Sequence, residues 1–427
     1  MEKIKAFLNE KDYKVLVSNF LSLAVLQGLN ILLPFLTIPY LLRVVGVEKF
    51  GLISFALAFV TFFQIVVEYG FNNTATRDIS VVSEKKKDVE RIFSEVLTAK
   101  IFLLVVCTVV FLLTVLLIPK FSGDRWVYIF TYLSVVGQTI FPIWLFQGIQ
   151  QMKYITYLNV LFKTIFTIAI FFFVNKSSDY QLAPLFTSLG FLFSGVSALV
   201  IVNKKFGYSF RIASLSRIKY QLIKGKYLFF SEFQIALIAN LNVLIIGFLL
   251  NNTAVGYYAT AEKVIRAVSN FQAPIINAVY PYISKLMIND KNKAIRQIKK
   301  IAYFGVIIDI IGAILLFISA DFIFSVLFGE PNKSSVVVFR IMILFPMLSF
   351  LDQVFGKLVL LTNGKEKLFF SVFFFTSIIS VLFSFSFTYF FGFIGTSVSN
   401  VIAQLLLVIG MWYYSRPFFK YEYDTKS

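Results

Sequence analysis

Apolar runs of about 20 residues recur from one end of this 427-residue chain to the other, with no stretch between them long enough for a soluble domain. A run of that length, coiled as an α-helix, crosses a hydrocarbon core of about 30 Å. Inside hydrocarbon the backbone finds no water, so only helices or closed barrels can span it. Unbroken apolar runs select helices. The chain therefore reads as an all-α polytopic membrane protein. About twelve spans are expected, at 15–39, 50–70, 93–118, 126–149, 154–174, 181–202, 227–250, 256–284, 300–319, 335–361, 368–390 and 394–414. No small-residue cleavage site separates Met1 to Lys5 from the first run, so no cleavable signal is expected.

Histidine is absent and Cys107 is the single cysteine. An internal disulfide, a His or multi-Cys metal site and His-ligated haem are excluded, and no cofactor is expected. Any proton coupling must use Asp or Glu, because no imidazole is available. The net charge of +18 follows the membrane rather than nucleic acid. Of the 40 Lys and Arg, about 28 fall in one alternate set of connections and about 6 in the other. The rich set holds both termini, which places them in the cytoplasm.

The longest connection of that set, 203–226, divides the spans six and six. A first bundle is expected over 1–202, a linker loop over 203–226, and a second bundle with a short cytoplasmic tail over 227–427. The halves echo each other faintly. Leu41-Leu42-Arg43 runs through Gly46 to Phe50-Gly51-Leu52, and Leu249-Leu250-Asn251 runs to Val255-Gly256-Tyr257. Six spans per half make such repeats parallel, related by an axis along the membrane normal.

Six cations lie inside the apolar spans: Lys100, Lys163, Lys263, Arg266, Arg340 and Lys357. Each costs roughly 2.5–3.5 kcal/mol at a helix centre unless it faces a cavity or a partner. Lys163 is near the middle of its span. Arg266, ten residues past Gly256, is about 15 Å deep. These two are too deep to snorkel and are the leading candidates to bind an anion. Lys263, Lys100 and Arg340 join them as further candidates. Lys100, Arg340 and Lys357 lie nearer span ends, where snorkelling or pairing competes. Glu262 and Arg266 are four apart and share a helical face. Asp309 and Asp352 are the deep carboxylates, with Glu68 and Glu232 toward cytoplasmic span ends. All four are candidates for ion coupling, with a static ion pair to an intramembrane cation as the alternative. Arg77-Asp78 reads as a structural pair, Tyr257 and Tyr258 as an interfacial belt, and Pro34, Pro39, Pro274 and Pro281 as helix kinks.

Several stretches occur in a fixed order. Asn30-Ile31-Leu32-Leu33-Pro34 leads to Pro39-Tyr40-Leu41. Glu68-Tyr69-Gly70-Phe71-Asn72 is followed by Ala75-Thr76-Arg77-Asp78. Pro142-Ile143-Trp144-Leu145-Phe146-Gln147-Gly148 precedes Met152-Lys153-Tyr154. Gly256-Tyr257-Tyr258, Ala261-Glu262-Lys263, Arg266-Ala267 and Tyr280-Pro281 complete the set. Together these resemble the Wzx-type O-antigen flippases, in the polysaccharide transporter branch of the multidrug/oligosaccharidyl-lipid/polysaccharide exporter superfamily. The resemblance covers essentially the whole chain. It implies a V-shaped fold of twelve helices in two six-helix bundles, like that of the MATE transporters. It implies transport of undecaprenyl-pyrophosphate-linked oligosaccharide across the bacterial inner membrane. An O-antigen polymerase and a chain-length regulator are the protein partners it suggests.

A cationic lumen suits such a cargo: fixed cations for phosphates, polar and aromatic groups for sugars, the polyprenyl tail left in lipid. It argues against an exporter of cationic drugs, and the motif set favours O-antigen precursors over lipid II. A membrane glycosyltransferase or polymerase is the rival of another class. Short external connections and the lack of Asp-x-Asp speak against it, and no Walker A pattern is present. The expected topology is tested with reporter fusions. Fusions within 203–226 and at the C-terminus should read cytoplasmic, and one within 251–255 periplasmic; a periplasmic C-terminus would break the even count.

Overall fold

The computed structural model describes residues 10–329 and 332–420, and among them every regular element is helical. The first unit of the chain holds α1 (Glu10–Glu68), α2 (Phe71–Val82), α3 (Lys86–Leu117), α4 (Arg125–Ile140), α5 (Ile143–Gly148), α6 (Lys153–Phe173) and α7 (Leu182–Lys204). Then come α8 (Leu215–Leu249), α9 (Asn252–Asn270), α10 (Ala273–Asn289), α11 (Lys291–Phe328), α12 (Lys333–Met342) and α13 (Phe345–Gln353). A π-helical stretch, Val354–Leu360, follows α13, and α14 (Glu366–Lys420) ends the described chain.

Nine helices among the described residues are long and apolar enough to cross a membrane. Two of them hold two crossings each. Along the first part of α1, Ser22, Asn30 and Tyr40 bond Thr156, Lys163 and Val174 in that order. Past Gly46, Phe55 packs on Tyr128, Phe63 on Tyr132, and Gln64 bonds Gln138. Tyr180 donates to Asp124, so the 174–180 end and the 121–128 end are the same end. The chain therefore turns back at Gly46, whose φ of 79° glycine adopts without a Cβ penalty. Gly392, at φ 62°, turns α14 in the same way. Around it Thr388 bonds Thr396 at 2.7 Å and Ser384 bonds Ser399 at 3.1 Å. The more polar α9–α10 stretch is outside the nine. With it and the two reversals, the count is consistent with the twelve expected.

Contacts divide the chain into Met1–Asn240 and Leu241–Ser427, a boundary inside α8. Residues 215–226, expected as loop, are helical. The preceding segment is strapped along α3: Arg211 N donates to Ser94 Oγ and Ala213 N to Thr98 Oγ1, both at 3.1 Å. The break between α1 and α2 is also held by α8. Tyr69, at φ 48°, stacks on Phe229 with ring centroids 4.5 Å apart.

The two units pair their crossings alike. First meets fifth through Asn30 and Lys163; seventh meets eleventh through Asn242 and Ser384. Second meets third through Glu68 and Lys100; eighth meets ninth through Gln272 and Asp309. Second meets fourth through Gln64 and Gln138; eighth meets tenth through Tyr257 and Ser335. Fourth meets sixth through Thr131 and Ser188; tenth meets twelfth through Asp352 and Gln404. Parallel repeats give this pattern.

Glycine sets the closest approach in the first unit. A Cβ at Gly137 would strike the Leu192 backbone, and one at Gly195 the Gly137 carbonyl. Backbone cannot yield there as a side chain can. Gly195→Leu should therefore lower stability by about 1–3 kcal/mol or more, read as a fall in the unfolding temperature of the detergent-purified protein. Gly312→Leu, in open space, should leave it unchanged.

Candidate functional site

Each unit carries its own cluster of intramembrane charge. In the first, Lys100 is 0% exposed and lies 3.0 Å from Glu68 Oε1, with the Gln138 carbonyl at 3.4 Å. Its charge is matched within the bundle and no atom of it is open to a ligand. Lys163 is different. Its ammonium donates to Asn30 Oδ1 at 2.9 Å and sits 4.9 Å above the Phe191 ring. Both partners are neutral, so no carboxylate among the described residues offsets its charge. Glu232 accepts from Asn73 Nδ2 at 3.0 Å. Asp78 is not paired with its neighbour Arg77: Lys224 reaches across from α8 and grips both its oxygens.

In the second unit Tyr258, Glu262 and Arg266 form an i, i+4, i+8 stripe on α9. Arg266 Nη2 donates to Glu262 Oε1 at 2.9 Å, as the spacing requires. The Tyr258 hydroxyl faces the same carboxylate at 3.5 Å and accepts from Asn242 at 3.0 Å and Asn400 at 3.2 Å. Asn242 in turn accepts from Ser384 at 2.6 Å. Three crossings thus meet at one phenol, and a fourth joins through Asn242. The expectation of an interfacial belt fails for Tyr258, which is 0% exposed. Its hydroxyl is satisfied by buried amides rather than by headgroups. Arg266 is held to this anchor through Nη2, and 38% of its side chain stays exposed. Lys263 lies on the same helix, partly buried.

The remaining candidates sit apart from this stripe. Arg340 pairs with Asp321 at 2.7 Å and stacks 4.9 Å from Phe317. Lys357 reaches Gln353 at 3.4 Å. Asp309 accepts from Gln272 at 2.7 Å, and Asp352 accepts from Gln404. Both deep carboxylates are held by a glutamine amide, and the Lys357 charge also acts on Asp352.

Several of these partners escape a reading based on charge. Gln64, Gln138, Gln272, Gln404, Asn242 and Asn400 carry none, and amides inside apolar runs were the available signal. Glu95 is buried at the head of its crossing, met by Gln221 at 2.8 Å and Arg217 at 3.6 Å.

Residues 16–287 match the model of a family described as polysaccharide biosynthesis protein. The “Putative O-antigen transporter” of Escherichia coli (strain K12) is 33% identical over 391 residues, spanning 91% of this chain and 94% of that one. A Shigella dysenteriae protein of the same description is 26% identical over 395 residues, 92% and 98% of the two chains. Among solved structures, an inward-facing multidrug-resistance MATE transporter superposes with a TM-score of 0.69 at 12% identity, covering 92% of this chain and 96% of its own. The lipid II flippase MurJ, inward closed, gives 0.67 at 13% identity, covering 93% and 87%. At such identities the likeness is one of fold.

The Lys100–Glu68 pair allows a direct energetic test. Lys100→Met strands a buried carboxylate and should cost about 3–5 kcal/mol. Lys100→Met with Glu68→Met together should recover most of that loss. Thermal unfolding of the four proteins of the cycle measures the coupling; equal losses in the single and double variants would show that Glu68 does not depend on Lys100.

Proposed function

The chain belongs to the polysaccharide biosynthesis protein family, as a transporter rather than an enzyme, and we propose that it flips undecaprenyl-pyrophosphate-linked O-antigen oligosaccharide from the cytoplasmic to the periplasmic leaflet. The observation that carries this reading is the character of Lys163 and Arg266. Lys163 meets neutral partners, and Arg266, anchored on Glu262, keeps 38% of its side chain exposed. A pyrophosphate is a compact dianion or more. Arg meets it with a planar fork, Lys with a point charge. Where water is scarce, the attraction between such charges strengthens. The glycan head crosses among polar and aromatic side chains while the polyprenyl tail remains in lipid.

Alternating access of the two bundles provides the passage, with both termini in the cytoplasm of the inner membrane. An ion gradient drives it. Asp309 and Asp352 are the carboxylates for that role, each met by a glutamine amide, with Glu232 in second place. Glu68, matched by Lys100, is assigned to structure. O-antigen polymerase and the chain-length regulator are the partners that would receive the flipped product. Another lipid-linked polysaccharide precursor is the alternative cargo with the same pyrophosphate chemistry.

The test uses a bacterial strain lacking its own flippase and supplied with the matching precursor. Losing one charge-assisted contact costs about 1.5–3 kcal/mol, roughly tenfold or more in transport. Arg266→Gln and Lys163→Gln should each lower surface O-antigen per molecule of membrane-inserted protein by about that factor, and the double variant by more. Arg266→Lys should retain part of the activity. Normal O-antigen display in the double variant at native expression would refute pyrophosphate binding by this pair.

A further inference from the structure

Comparison of the two repeats exposes one site whose charge is not closed. In the first unit the contact between second and third crossings is an ion pair, Glu68 with Lys100. In the second unit the same contact, eighth with ninth, joins Gln272 to Asp309. Both Glu68 and Gln272 stand at the break of their crossing, where α1 gives way to α2 and α9 to α10. The carboxylate has changed helix, an amide stands opposite it, and the cation is missing.

The local geometry shows what is left over. Gln272 is 9% exposed and its Nε2 donates to Asp309 Oδ1 at 2.7 Å. Asp309 Oδ2 and Gln272 Oε1 are both buried without a hydrogen-bond partner. Both are acceptors when the carboxylate is ionised, so neither can satisfy the other. Two stranded acceptors are costly, the charged one more so. A carboxylic acid beside a primary amide solves both at once: the amide N–H bonds one acid oxygen, and the acid O–H bonds the amide carbonyl.

The other charged groups on the elements around α11 are engaged elsewhere or lie at exposed positions. Lys285 on α10 and Lys333 on α12 are exposed. Arg340 is with Asp321, Asp352 with Gln404 and Lys357 with Gln353. On α9, Glu262 is with Arg266, and Lys263 lies one residue on. Within α11 the cations Lys291, Lys293, Arg296, Lys299 and Lys300 lie two turns or more before Asp309, and Asp321 three turns after it. No group of three or more His, Cys, Asp or Glu able to hold a metal occurs among the described residues. A proton needs only the two oxygens that are there.

We propose that Asp309 and Gln272 form a proton site, in which a proton on Asp309 Oδ2 closes the charge that Lys100 closes in the first unit. Loading transfers one proton from hydronium to the carboxylate, breaking one O–H bond of the hydronium and forming one at Asp309 Oδ2; release to water reverses it. The proposal rests on the ion-coupled reading above and names its ion and its amide partner.

Protonation is read without any glycan, so an error in the cargo leaves this test intact. Infrared pH-difference spectra of the purified full-length protein in nanodiscs should contain a carboxylic-acid carbonyl band. The band should be lost in Asp309→Asn and kept in Asp352→Asn. Gln272→Lys should abolish it too, because an ammonium opposite Asp309 restores the pair of the first unit and keeps the carboxylate ionised. The unfolding temperature supplies a second reading. A group that holds its proton in the folded protein but not in the unfolded chain makes stability fall as pH rises. The wild-type midpoint should thus drop more steeply with pH than that of Asp309→Asn or Gln272→Lys. A band unaffected by Asp309→Asn, identical pH slopes, or a midpoint that follows sodium instead of pH would overturn the proposal.

Discussion

Hydrocarbon gives a charged or polar side chain no partner, so each one carried into it must be met by another crossing. That requirement decides how these helices sit together. Apolar surface alone cannot, because lipid tails are as apolar as Leu and offer helices little reason to choose one another. The specific contacts are polar: Lys100 with Glu68, Asn30 with Lys163, Gln64 with Gln138, Asn242 with Ser384 and Tyr258, Gln404 with Asp352. Small residues then let backbones close in, as Gly137 and Gly195 do between fourth and sixth crossings. The same rule selects what remains for function. Lys100, fully buried against a carboxylate, is closed, whereas Lys163, met by an amide and a ring, and Arg266, paired with Glu262 but still part-exposed, are left for a ligand.

How far the sequence was readable follows from the same physics. Crossings were legible because a bilayer demands about 20 apolar residues from each. The Glu262–Arg266 contact was legible because four residues return a helix to the same face. Gly46 and Gly392 were not. A connection was expected over 40–49, but a single left-handed residue turns the chain and helix continues on both sides. Residues 215–226 were expected as loop for their charge, yet they begin α8, because Gln221 and Arg217 find Glu95 and Lys224 finds Asp78.

The candidate site was legible for cations and carboxylates and illegible for what holds them. Nothing in one dimension joins Tyr258 to Asn242 and Asn400, 16 and 142 residues away. Uncharged amides in an apolar run are a weaker signal than charges, although they decide whether the neighbouring charge is stranded. The likeness between halves, faint in residues, became plain in which crossing meets which.

The π-helical stretch Val354–Leu360 has a consequence for how this chain varies. A π turn accommodates one residue more than an α turn of the same rise. It is a place where the polypeptide can absorb a one-residue insertion by bulging rather than by shifting everything downstream. Adding or removing one codon there changes the local winding and leaves the residues on either side at their old depth. Gene copies of this family that differ by one residue in the tenth crossing should therefore be aligned with the gap inside that turn; a gap placed elsewhere would misassign every residue between the two positions.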